Sequence, residues 1–177
     1  MIPSSLKRLF TPDASTQQAH QAYVQIVAQA RKPVFYADWQ VPDTLDGRFD
    51  IILLHLFLVV SRCEAEGSHT QRFIRHLSEV FFADMDRSLR EMGASDTGVG
   101  LRIKNMAQAF YGRLKAYGSA IGDEAALVEA LQRNAYREQP VPGHAIKALA
   151  AYVRRNHQAL QAQSVEALIQ GNIIFAD

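Results

Sequence analysis

His55, Cys63, His69 and His76 fall within twenty-two residues, and imidazole and thiolate are the usual ligands of zinc and haem iron. Their spacing does not build a site. His69 and His76 are seven apart and share a helix face, but neither belongs to an H-E-x-x-H arrangement and Cys63 has no C-x-x-C partner, so no metal is expected. His55 is the one polar residue in "IILLHLFLVV" (residues 51–60). The simpler reading is a buried neutral imidazole bonded to a backbone carbonyl. The alternative makes the chain a small-ligand module that holds haem or quinone between helices through His55.

The acids in "ADMDRSLRE" (residues 83–91) are Asp84 and Asp86. Two residues apart on a helix they point about 200° apart, so they do not form a ready acid–base pair. Asp86 can reach Arg90 at i+4. Asp84 lies near the stripe of Leu77, Phe81 and Ser88, and a partly buried carboxylate needs a partner. Arg87 or an arginine from another helix is the expected one. No G-x-S-x-G, P-loop or G-x-G-x-x-G is present, and "GVG" at 98–100 opens a helix with no strand before it. No catalytic residue is expected, and the chain is read as not an enzyme.

Binding chemistry is better represented. Residues 97–122 contain Arg102, Lys104, Arg113 and Lys115 and no acid. Arg102 and Arg113, eleven apart, lie on nearly one azimuth of a helix; Lys104 and Lys115 form a second row, with Tyr111 between. This is either a solvated helix face or a basic patch for anionic lipid, an acidic partner or RNA. "VFYADW" brings Phe35, Tyr36 and Trp39 into an extended connector. There they would lid the core or form a binding hot spot.

The elements that must position these residues are helices. Residues 15–32 place Ala19, Ala22, Tyr23, Ile26 and Ala30 on one stripe before Pro33. Asp43 or Thr44 can cap a helix over 44–66, which Gly67 closes. Residues 69–92 repeat apolar side chains at steps of three and four up to Gly93. Ser95 or Asp96 opens the next helix, striped by Val99, Ile103, Met106, Phe110, Leu114 and Tyr117, with Gly118 just beyond. Asp123 caps a helix through Leu127 and Leu131 to about Gln139. "PVPG" breaks the chain before a helix marked by Ile146, Leu149, Val153 and Leu160. Ser164 caps a short last one, and Gly171 precedes the apolar tail "NIIFAD". The expectation is an all-α single domain, 15–177, of about seven helices packed around the apolar helix 44–66, after a flexible segment 1–14.

The totals bound the class. The chain has 177 residues, 48% hydrophobic and 21% charged, with net charge +1, enough for one real core and too neutral overall to expect specific DNA binding. Its one cysteine excludes an internal disulfide. Lys7 and Arg8 are followed by no apolar stretch of signal-peptide type, so no export is expected. The run 51–60 rises about 15 Å as helix, half of a bilayer core, and charges flank it. The expected location is the cytoplasm, peripheral at the inner face of the membrane.

Three strings carry a resemblance: "FYADWQVPDTLDGRFDIILLHLFLVV", "FFADMDRSLREMG" and "GLRIKNMAQAFYGR". "AAYVRRN" and "GNIIF" follow in the same order. The chain resembles the ubiquinol–cytochrome c chaperone family, assembly factors of the respiratory cytochrome bc1 complex. The resemblance implies a helical domain without catalysis or cofactor, acting as a chaperone of newly made cytochrome b at the inner membrane. It also implies a small partner protein and a position near the ribosome. Tyr36, Asp43, Gly47, Arg48, Phe49 and His55 match the family strings, as do Asp84, Asp86, Arg87, Leu89, Arg90, Glu91, Phe110, Tyr111, Gly112 and Arg113. The residues expected to touch client or partner are Phe35, Tyr36, Trp39, Asp84, Arg87, Arg90, Tyr111 and Arg113.

Overall fold

The computed structural model describes residues 14–176. The expected flexible segment 1–14 lies outside the described residues except for Ala14, which opens the first helix. Among the described residues there are eight α-helices and no strand: α1 (Ala14–Ala30), α2 (Val34–Ala37), α3 (Leu45–Glu64), α4 (Gln71–Glu91), α5 (Asp96–Ala120), α6 (Glu124–Asn134), α7 (Gly143–Gln161) and α8 (Val165–Ile169). A 3-10 turn, Ser68–Thr70, leads into α4. The all-α expectation holds, and the starts of α3, α5, α6 and α8 are set by the expected caps. Thr44 Oγ1 accepts from the Gly47 N–H at 3.1 Å, Ser95 Oγ from Gly98 at 3.3 Å and Asp123 Oδ1 from Ala126 at 2.9 Å. Each satisfies one amide that the helix leaves free.

Every side chain from Phe49 to Val60 is buried, His55 and Asp50 included. This helix touches α1, α4, α5, α7 and α8, which leaves the stretch 49–60 no solvent face and explains its all-round apolar sequence. α4 is different. It buries Phe73, Leu77, Phe81, Met85 and Leu89, one residue in four, and keeps its charges outside.

Three boundaries differ from the sequence reading. The connector at 33–40 is not extended: Pro33 presets a helical φ, Ala37 N–H donates to Pro33 O at 2.8 Å, and one turn of helix forms. Gly118 does not end α5, which runs on to Ala120. α6 stops at Asn134 rather than near Gln139, because Arg137 and Glu138 take left-handed φ of 53° and 60°. Beyond α8, Gly171 (φ 82°) passes so close to α1 that a Cβ there would meet Gln21 and the Ala22 backbone. The tail then runs without regular structure, held by two side-chain amides. Gln163 accepts from the Ile174 N–H (3.0 Å) and donates to its carbonyl (2.7 Å). Asn156 does the same to Ala176 at 2.8 and 3.0 Å. Each amide acts as one rung of a β-ladder and presses Phe175 edge-on to His55 at 5.2 Å between centroids.

Candidate functional site

His55 is fully enclosed, and both of its nitrogens are taken. Ile51 O, 2.8 Å from Nδ1, can only accept, so Nδ1 carries the proton. Nε2 then accepts from the Tyr152 hydroxyl at 2.8 Å, which in turn accepts from Gln29 at 2.9 Å. The ring has no lone pair left for haem or quinone, so the small-ligand reading loses the residue it rested on. Among the described residues no three His, Cys, Asp or Glu side chains stand where they could hold a metal. Burial lowers the His55 pKa to about 4. The folded state therefore binds fewer protons than the unfolded one between about pH 4 and 6.5. Stability from this group is complete above 6.5 and is lost as pH falls toward 4, by about 3 kcal/mol in all. Asp50 acts in the opposite sense over an overlapping window, because its carboxyl is raised. The difference between wild type and His55→Gln isolates the histidine. The urea midpoint of the wild type should fall more steeply from pH 7 to pH 5 than that of the variant, and parallel profiles would refute the assignment.

The aromatic connector packs partly into the core. Phe35 is fully buried, edge-on to His55, Trp39 and Tyr152 at 5.2–5.3 Å. Tyr36 donates to Ala30 O at 2.8 Å, and the Trp39 carbonyl accepts from Tyr136 at 2.7 Å. Of the three expected hot-spot residues the helical turn aims Phe35 into the core against His55, while Tyr36 and Trp39 stay half-buried at its edge.

The "FFADMDRSLRE" residues are also mostly spoken for. Asp84 takes its hydrogen bond from Tyr23 on α1, at 2.8 Å, not from an arginine; the residue facing it across the α1–α4 contact is a tyrosine. Arg90 bonds Asp86 at 2.6 Å and reaches Asp96, which ties α4 to the start of α5. It is a brace rather than a free contact. Arg87 is exposed on a trough between α1 and α4 of about 410 Å³, with Arg31, Val24 and Val27.

Uncovered apolar surface lies along α5. Of its described apolar side chains only Val99, Phe110, Tyr117 and Ala120 are buried. Ile103, Met106 and Leu114 are half-buried, and Leu101 and Tyr111 are 62% and 65% exposed. α5 thus carries more apolar surface than the fold covers. On one flank a groove of about 990 Å³ runs between α4 and α5. Ile74, Phe82, Phe110 and Leu114 line it, and Tyr111 stands at its edge, 5.2 Å edge-on from Phe110. Ser78, Gly118 and Ser119 keep the walls low, and Glu64, Arg75, Glu79 and Lys115 ring it.

On the opposite flank lies a second groove of about 520 Å³, built around a residue the sequence reading passed over. Asp50 is fully buried. Arg113 Nη2 lies 2.8 Å from one of its oxygens, and Arg137 Nε donates to the other at 3.1 Å. Arg137 also reaches Asp46 at 3.3 Å, and the Arg113 guanidinium lies 5.7 Å over the Phe49 ring. Burial pushes the Asp50 carboxyl up to about 6 despite the two guanidinia. Arg113 therefore leaves the expected basic patch: its charge is spent on Asp50 and its side chain is 13% exposed. Lys104, Lys115 and Arg102 remain exposed. Asp50 could have been noticed, since it lies in the most apolar helix, between Phe49 and the run 51–60. Arg137 could not, because nothing local shows that a left-handed turn aims it back across 87 residues.

Comparison with known proteins gives one consistent picture. Residues 37–175 match the family described as Ubiquinol-cytochrome C chaperone. The ubiquinol-cytochrome-c reductase complex assembly factor 1 of Xenopus laevis is 25% identical over 143 residues, 80% of this chain and 72% of the frog protein. The proteins of that name from Drosophila melanogaster and Mus musculus are each 26% identical, over 86% and 85% of this chain and 62% and 52% of their own lengths. The chain thus spans only part of these relatives. The crystal structure of the Cbp3 homolog from Brucella abortus is 39% identical with a TM-score of 0.82, covering 100% of this chain and 97% of that one.

Proposed function

The chain belongs to the ubiquinol-cytochrome C chaperone family, and from that premise we propose that it is a non-enzymatic assembly factor of the cytochrome bc1 complex that holds newly made cytochrome b at the membrane. The assembly role follows the names of its relatives. The client follows from chemistry. A membrane protein awaiting assembly presents apolar helices, and such a helix needs an open apolar trough with low walls that admit close approach.

The single observation that supports this reading is the α4–α5 groove, floored by Phe82, Phe110 and Leu114, with Tyr111 65% exposed at its edge. A large exposed aromatic beside an uncovered apolar groove is the surface pattern of a binding site rather than of a closed domain. The outer crest of α5 supports a place at the membrane. Leu101, Lys104, Gln108, Tyr111 and Lys115 are all exposed there and follow each other at three- and four-residue steps without an acid, a face complementary to an anionic leaflet. No described helix is long and apolar enough to cross a bilayer.

A photo-crosslinking amino acid placed at position 111 in cells tests both parts. The expected product is an adduct with cytochrome b in the membrane fraction, and little or none from the same group at exposed Lys147 on α7. Equal yields at both positions, or no cytochrome b adduct at 111, would remove the client assignment. An adduct found only in the soluble fraction would remove the membrane one.

A further inference from the structure

The two flanks of α4 carry different surfaces. Ile74, Ser78 and Phe82 line the groove toward α5, while Val80, Ala83 and Arg87 line the trough toward α1. The function proposed above uses only the first. We propose that the second is the docking site of an amphipathic helix that carries acidic residues and belongs to a partner protein.

Shape selects a helix. On α1 the trough runs from His20 to Arg31, eleven residues, which is about three turns and about 16 Å of rise. Arg31 follows α1 directly, its N–H still donating to Val27 O at 3.1 Å. The floor is made by Val24, Val27, Ala28, Val80 and Ala83. Val24 is 50% exposed, and both alanines are exposed. Short side chains on two neighbouring helices leave a furrow that a third helix can fill, ridge into groove, at an axial distance of about 8–10 Å. A bilayer would rest on the crests of the two helices and leave such a floor uncovered.

Charge selects the sign of the partner. Arg31 and Arg87 are both exposed at the trough, and neither makes an ion pair among the described residues. The acid between them, Asp84, is drawn to α1 by the Tyr23 hydroxyl at 2.8 Å. Two guanidinia against one carboxylate leave a positive surplus beside an apolar floor, in a chain whose net charge is only +1. Arg90, one turn on from Arg87, shows the contrast: it is paired with both Asp86 and Asp96. An incoming helix can set a carboxylate against each free guanidinium, which grips it through paired N–H donors. Its apolar stripe then covers Val24 and Val27.

The test follows the backbone amide NMR signals of the whole chain during titration with a synthetic helix of about 18 residues, long enough to form alone. One peptide has a leucine and alanine stripe bordered by glutamates; in the other the glutamates are glutamines. The acidic peptide should bind saturably and about tenfold tighter than its neutral twin, the gain open to two ion pairs at a partly covered site. Its shifts should concentrate at residues 20–31 and 80–87. Arg31→Gln with Arg87→Gln, both at exposed positions, should bring the two peptides to equal affinity, and Val24→Ser should weaken both. Equal binding of the two peptides to the wild type, no binding of either, shifts centred on the basic crest of α5, or a preference that survives the double variant would each overturn the proposal. So would phosphatidylglycerol vesicles that broaden the same amides, because the trough would then be a lipid site. None of these results bears on the crosslinking at position 111, because the trough and the α4–α5 groove share no lining residue.

Discussion

Arg113→Ala should destabilise the fold by roughly 3 kcal/mol, near the lower end for stranding one partner of a buried ion pair. Asp50 has no exposure and would lose one of its two guanidinia. Arg137 remains, but its side chain is 40% exposed and it shares itself with Asp46, so it cannot compensate fully. The cost is that of an uncompensated buried charge and not of the contact alone. The double variant Asp50→Asn with Arg113→Gln, which removes both charges, should therefore be more stable than Arg113→Ala. Arg48→Ala breaks an arginine–aspartate pair of similar geometry, 2.6 Å to Asp43, with side chains 61% and 54% exposed. Its urea midpoint should barely move. Urea unfolding of the four proteins, with unchanged slope, decides the matter. Equal midpoints for Arg113→Ala and Arg48→Ala would show that the buried pair adds nothing beyond a surface one.

Gly47→Ala should be comparably damaging, against what helix propensity says. Gly47 lies in the first turn of α3, where alanine is favoured over glycine by about 1 kcal/mol. A Cβ at Gly47, however, would be driven into the carbonyl oxygen of Pro42. That atom belongs to backbone and cannot rotate aside, so Pro42 or the helix start must shift. Overpacking of this kind costs about 1–3 kcal/mol, and here it also threatens the Thr44 cap. Steric cost wins over propensity, and the net effect should reach about 2 kcal/mol. Gly112 is the control. It is exposed on α5, and a Cβ added there would meet nothing within 4 Å, so Gly112→Ala should be neutral or stabilising by up to about 1 kcal/mol. Thermal melts of the two variants should move in opposite directions; a stable Gly47→Ala would mean that the approach of Pro42 is not tight.

The helices are legible because their signals are local. Thr44, Ser95, Asp123 and Ser164 mark starts, Gly67 and Gly93 mark stops, and the three-to-four spacing of Leu77, Phe81, Met85 and Leu89 tells which face turns inward. The site is legible only in part. Tyr111, an aromatic between two basic rows, is exposed as its position suggests. Phe35 and Arg113 suit a contact surface equally well by residue type, yet they are buried or bound. Sequence shows that an aromatic or a cation is present but not which long-range partner absorbs it. Tyr23 with Asp84, and Arg137 with Asp50, are pairings over 61 and 87 residues that no periodicity encodes. The one-turn helix at Val34–Ala37 is similar: its aromatics suggest extended chain, but Pro33 starts a turn that carries Phe35 against His55.

The strap formed by the tail sets a schedule for synthesis. The enclosure of His55 draws on Phe35, on Tyr152, which lies 97 residues after the histidine, and on Phe175. A ribosome adds about 5–20 residues each second, so for several seconds an emerging chain has the helix 45–64 but not its cover. Throughout that interval the imidazole stays wet and can take up a proton. During its own synthesis this chain is thus itself a nascent protein with an uncovered apolar helix, and the enclosure of His55 is complete only once the segment around Phe175 has left the exit tunnel.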